Sequence, residues 1–121
     1  MPRRDRSLDA LLDLHGQVLV IDDEGHVARF IVRRTVPTAG RPHGLSYSLT
    51  LHDRSGHRLL GFDNAHSVRR PGGRFVEQPL VYDHLHCGPG DEGRPYQFVS
   101  AGKLVEDFWR EVNRILDSAR E

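Results

Sequence analysis

From Leu45 to His52 the chain alternates without a fault: Leu45, Tyr47, Leu49 and Leu51 are apolar, and Ser46, Ser48, Thr50 and His52 between them are polar. Side chains of a β-strand point to opposite faces with period two, so this octet is a strand with one wet and one dry face. The dry face has to be buried against something, and the cover stands at the other end of the chain. From a Ser100 cap, Leu104, Val105, Phe108, Trp109, Val112, Ile115, Leu116 and Ala119 recur at helical spacing and form one apolar stripe, with Glu106 and Arg110 at i,i+4 to support it. A one-sided sheet under an amphipathic helix of about five turns is a two-layer α+β fold.

The remaining segments fit that plan. Leu8, Leu11, Leu12 and Leu14 behind Ser7 predict a short helix over Ser7–His15, ended by Gly16. Gln17–Ile21 reads as a strand, Asp22-Asp23-Glu24-Gly25 as a turn and His26–Val36 as a longer strand, which together make a hairpin. After the Pro37–Gly44 loop and the alternating strand, Asp53-Arg54-Ser55-Gly56 turns the chain into a second hairpin whose return strand runs from His57 to about Asn64. An arginine- and glycine-rich loop, Ala65–Arg74, precedes a fifth strand over Leu80–His86, and Pro95–Val99 leads into the final helix. The expectation is a mostly antiparallel sheet of about five strands in sequential hairpins, covered by a short N-terminal and a long C-terminal helix. Hairpins fix neighbours but leave open where Leu80–His86 inserts.

With 121 residues, 37% hydrophobic and 28% charged, the chain suits one globular domain over 1–121, with residues 1–6 as a flexible lead. The basic stretch Met1–Asp9 has no apolar run behind it, which argues against a secretory signal, and no run approaches the roughly 20 apolar residues of a membrane span. A single cysteine, Cys87, excludes an intramolecular disulfide and points to a reducing compartment, hence the cytoplasm. Lys+Arg and Asp+Glu balance at 17 each, so no global field draws the protein onto nucleic acid, and any such contact is local. Lys103 is the only lysine. Arginine is the better bidentate partner for phosphate, although codon bias in a GC-rich genome gives the same composition.

No phosphate-cradling glycine loop, nucleophile elbow, zinc-spaced cysteine pair or dinucleotide fingerprint is present. The chemical lead is the eight histidines. In Tyr82-Asp83-His84-Leu85-His86 a strand would place His84 and His86 on one face, about 6.5–7 Å apart at Cα. Two imidazoles titrating near neutrality can serve as general base and general acid, which metal-independent cleavage of RNA through its 2′-hydroxyl requires. In Phe62-Asp63-Asn64-Ala65-His66 polar groups gather where a strand leaves the sheet, and His66 is a third imidazole; an Asp/Asn turn capping its own backbone gives the same pattern. Arg41, Arg94 and Tyr96 stand in loops entering strands, where an arginine can hold phosphate and the tyrosine can stack on a base. His15, His26, His52 and His57 occur singly and read as surface histidines, Cys87 as structural or incidental, and Trp109 as core.

Taken in order, Arg41-Pro42-His43-Gly44 to Tyr47-Ser48-Leu49, Gly61-Phe62-Asp63-Asn64-Ala65-His66, Tyr82-Asp83-His84, and Leu104 with Glu106-Asp107-Phe108-Trp109-Arg110-Glu111-Val112 resemble the TumE family. That family comprises toxins of bacterial toxin–antitoxin pairs. The resemblance runs from Leu8 to Leu116, and the Asp-Asn-Ala-His block followed by a histidine-bearing strand is its most specific part. It implies a cytoplasmic bacterial protein that stops growth when free and is bound by a cognate antitoxin. Asp63, Asn64, His66 and His84 carry over as candidate site residues. The chain departs from the pattern at Leu85 and Cys87, where family members carry a denser run of histidine and basic residues.

Three functions fit these residues. The leading expectation is a metal-independent ribonuclease without cofactor, in which His84 shares acid–base work with His66 or His86 and Arg41 or Arg94 stabilises charge on phosphorus. A second is a hydrolase or nuclease whose divalent metal is held by His84, His86, His66 and Asp63. The third is a non-catalytic module that acts by occupying a protein target.

Overall fold

The computed structural model describes residues 6–39, 41–64, 83–88 and 93–119. Of the expected flexible lead only Arg6 falls within these, and it begins a helix. The Ala65–Arg74 loop, with His66, and the Leu80–Tyr82 start of the fifth strand lie outside the described residues.

The chain runs α1 (Arg6–Asp13), β1 (Val18–Val20), β2 (Val27–Arg34), β3 (Leu45–His52), β4 (Arg58–Asp63), β5 (His84–Cys87), β6 (Arg94–Pro95) and α2 (Ala101–Ala119). All strand pairs are antiparallel, and the sheet order is the chain order, β1-β2-β3-β4-β5-β6. The Leu80–His86 segment therefore inserts beside β4. One more strand is present than the sequence suggested: Arg94–Pro95 pairs with Leu85 and His84 at the edge. Two residues including a proline are too short a run to show strand periodicity, and an edge is where a sheet tolerates proline.

Both hairpin turns are built the same way. In the first, Asp22 Oδ1 accepts from the backbone N–H groups of Glu24 and His26 at 3.0 and 3.1 Å, and Gly25 takes a left-handed φ of 88°. In the second, Asp53 Oδ1 accepts from Ser55 and His57, both at 2.9 Å, and Gly56 has φ 90°. Desolvation would raise both carboxyls, but the histidine and backbone donors around them hold Asp22 and Asp53 below the usual carboxylate range. His26 was expected at the surface; it is buried instead, because its Nδ1 lies 2.8 Å from Asp22 Oδ2 and completes the turn.

The register sorts side chains onto two faces. Ala28, Phe30 and Val32 of β2, Leu45, Tyr47, Leu49 and Leu51 of β3, and Leu60 and Phe62 of β4 all point to one side and are buried there. On them lie α1, through Leu11, and α2, through Ala101, Leu104, Phe108, Val112 and Leu116. Phe108 is the keystone, edge-on to both Phe30 and Phe62 at 5.6 and 6.1 Å, and its truncation to alanine would cost about 3–5 kcal/mol. Trp109 packs half-buried beside it at 6.1 Å from Phe30. Ser100 caps α2 as expected, accepting from the Lys103 N–H at 3.1 Å. Ser7 does not cap α1: it lies inside that helix and accepts from the Gly102 N–H at 3.1 Å, stitching the two helices together. The other face, away from the helices, carries Ser46, Ser48 and Thr50 of β3 and Asp63 of β4, which alternate with the core residues.

Candidate functional site

The β4–β5 ladder pairs Asp63 with His84 and Gly61 with His86, so strand alternation puts Asp63, His84 and His86 on the face away from the helices. Asp63 stands between the imidazoles: its Oδ2 is 3.3 Å from His86 Nε2, and its Oδ1 is 4.0 Å from His84 Nδ1. The two rings are 6.1 Å apart, centroid to centroid. His84 is 96% buried as a side chain, yet its Nε2 has no hydrogen-bond partner among the described residues. An orphaned buried donor or acceptor costs about 1–3 kcal/mol and calls for a functional reason. One ligand atom from each of the three residues falls within a 4.8 Å group, so the same trio has the shape to hold a metal ion. A second such group, Asp22, Glu24 and His26, is the first hairpin turn, whose Asp22 oxygens are already engaged by the turn itself.

Asp83, one residue earlier, points the opposite way and closes a different cluster. Tyr47 donates its hydroxyl to Asp83 Oδ1 at 2.7 Å, and His43 Nε2 lies 3.1 Å from the same oxygen. His43 Nδ1 accepts from the Leu45 N–H at 3.1 Å, so its other nitrogen must carry the proton given to Asp83. Phe98 packs against His43 at 4.1 Å between ring centroids, the planes tilted by 45°. Burial and the hydrogen bond to Asp83 push the Tyr47 hydroxyl well above the usual tyrosine range, so it stays protonated. Sequence reading missed this cluster because His43 and Asp83 are 40 residues apart. The signal was present in part: alternation through Asp83-His84-Leu85-His86 places Asp83 opposite the two histidines.

The other expected site residues are dispersed. Asn64 is fully buried and spends both ends of its amide on β3, its Oδ1 accepting from the Tyr47 N–H at 2.9 Å and its Nδ2 donating to the Leu45 carbonyl at 2.7 Å. It continues the ladder where β4 ends, one donor and one acceptor of its amide engaged by backbone. Arg41 donates through Nε and Nη2 to the Asn64 carbonyl, at 3.1 and 2.6 Å, and so ties its loop to that corner. Arg94 is exposed at the sheet edge, its Nη2 3.6 Å from Cys87 Sγ. Tyr96 lies on the helix side, where its hydroxyl donates to Asp107 Oδ2 at 2.6 Å; burial and that bond raise its pKa above the usual range. It lines a shallow cleft of about 260 Å³ with Phe62, Leu85, Lys103 and Arg110. The structure thus brings Asp63, His84 and His86 together and places Arg94 and Tyr96 away from them.

Among the described residues no helix is long and apolar enough to cross a membrane. A family model described as Toxin TumE matches residues 13–116, which is most of the chain. No curated protein and no solved structure matches.

Proposed function

The chain belongs to the TumE toxin family, and on that premise we propose that it is a growth-inhibiting ribonuclease, neutralised by a cognate antitoxin, whose reaction is carried by His84 and His86. The observation that supports this most is the imidazole pair on either side of Asp63, one ring keeping a buried nitrogen without a partner among the described residues. His86, whose Nε2 lies 3.3 Å from Asp63 Oδ2, serves as general acid. His84 Nε2 takes the proton of an RNA 2′-hydroxyl as its oxygen attacks phosphorus. His86 gives its proton to the departing 5′-oxygen as the P–O bond breaks, leaving a 2′,3′-cyclic phosphate and a free 5′-hydroxyl. Because His84 is sealed from solvent, the surface over it has to open when RNA binds. His66 lies outside the described residues and has no role in this scheme.

A second reading has its own support in the 4.8 Å grouping of Asp63, His84 and His86, which would hold a divalent metal that activates water. Purified protein without a histidine tag, incubated with total RNA with and without a chelator, separates the two. The acid–base reading expects cleavage undiminished by chelator and products ending in cyclic phosphate. Activity that vanishes on chelation and returns with added metal would replace it with the metal reading. No cleavage under either condition would leave the family role without this chemistry.

A further inference from the structure

His86 sits between two glycines. Gly61 is its cross-strand partner on β4. On the other side Gly93 has a left-handed φ of 93°, and a Cβ there would fall 2.4 Å from His86 Cε1, so the imidazole leans over Gly93. The Gly61 backbone beside it is bare of side chain, and the group that comes over it is Arg58. The Arg58 Cδ and Nη1 lie 3.4 and 3.7 Å from where a Gly61 Cβ would stand, with Thr50 Cγ2 at 3.7 Å. Gly61 and Asp63 share a face, so the Arg58 guanidinium lies on the histidine side of the sheet, one cross-strand step from His86.

Arg58 is half-buried, and no ion pair or side-chain hydrogen bond engages it among the described residues. Arg41, Arg110 and Arg114 are occupied, by the Asn64 carbonyl, by Glu106 and Asp107, and by Glu111, whereas Arg58 and the exposed Arg29, Arg33, Arg34 and Arg54 have no such partner among the described residues. A cation laid along a sheet beside two imidazoles, over backbone that bears no side chain of its own, has the character of an anion subsite. Further along the same cross-strand row, Arg29 pairs with Thr50, which pairs with Gly61, so a second exposed arginine continues the strip.

We propose that Arg58 holds the scissile phosphodiester of single-stranded RNA over Gly61, with its planar fork on the non-bridging oxygens. This rests on the ribonuclease reading and supplies what that reading lacked, a cation on the same face as the histidines. Arg58 takes the role that sequence alone gave to Arg41 or Arg94.

The test measures binding of a fluorescent single-stranded DNA oligonucleotide, which has no 2′-hydroxyl and is not cut by this route, across a salt series. Wild type, Arg58→Gln, Arg58→Lys and Arg29→Ala are compared, with RNA cleavage by each followed in parallel. Arg58→Gln keeps the aliphatic stem on Gly61, and Arg58→Lys keeps the charge if the glutamine variant folds poorly. Arg58→Gln is expected to bind about tenfold more weakly, with its log–log salt slope shallower by about 0.7. Arg58→Lys should keep the slope and lose part of the affinity, and Arg29→Ala should lose less than Arg58→Gln. Unchanged affinity and slope in Arg58→Gln overturn the assignment. RNA cleavage with Arg58-independent binding removes the subsite and leaves the ribonuclease; Arg58-dependent binding without cleavage does the reverse.

Discussion

Two clusters of polar side chains meet at β5, separated only by the thickness of the sheet, and they are finished differently. On the helix side Tyr47, His43 and Asp83 satisfy one another: the hydroxyl and one imidazole nitrogen share a carboxylate, and the second nitrogen takes a backbone N–H. On the far side Asp63 serves two imidazoles at unequal distance, and His84 keeps a buried nitrogen with no partner among the described residues. Consecutive residues, Asp83 and His84, anchor the two. A closed network rigidifies a fold, whereas an incomplete one holds capacity in reserve at a cost to stability. Histidine content alone does not separate these roles; the count of satisfied donors and acceptors does.

The largest expected effect comes from the incomplete side. His84→Gln should lower RNA cleavage by about a thousandfold, the scale of a lost general base, while the unfolding free energy from urea titration changes by no more than about 1 kcal/mol. A variant that cleaves at the wild-type rate would break the contrast there. Next in size, Asp83→Ala strands the Tyr47 hydroxyl and the His43 N–H together and should cost about 3 kcal/mol in urea unfolding, with cleavage by the folded fraction held within a few-fold. If cleavage instead falls as far as in His84→Gln, the helix-side cluster belongs to the chemistry.

Gly93→Ala sharpens the placement of His86. Its Cβ would meet the ring at 2.4 Å in a backbone conformation that disfavours alanine, so the imidazole has to shift, and cleavage should drop by about 10- to 100-fold. The smallest effect is spectroscopic. Tyr47 and Tyr96 both have pKa values raised above the usual 10.0, so folding favours their neutral forms. That contribution is complete below pH 10 and is lost as pH rises further. Tyrosinate absorbance at 295 nm should therefore show these two ionising only with alkaline unfolding, whereas Tyr47→Phe removes one late-titrating group. Early ionisation of the group that Tyr47→Phe removes would mean the closed cluster is open in solution.

The fold was legible where periodicity is local. The octet from Leu45 to His52, the Leu104–Leu116 stripe and both Asp-x-x-Gly turns follow from spacing alone, and each lies where it was expected. The site was legible only in part. Alternation placed His84 and His86 on one face, but nothing in a linear pattern shows that the Asn64 amide is buried against the β3 backbone. Arg58 was invisible for a related reason: its position depends on a register shift between Leu51 and His52 and on a glycine three residues ahead, a relation that only pairing reveals. His43 and Asp83 needed a contact across 40 residues.

The most direct test of the division between the two faces is growth of a bacterial culture after induced expression of the wild-type chain or His84→Gln, with total RNA sampled at intervals. Arrest and fragmented RNA in the wild type, with normal growth and intact RNA at the same level of folded His84→Gln, is the expected result. Arrest undiminished in His84→Gln would contradict the placement of the chemistry on the Asp63, His84 and His86 face.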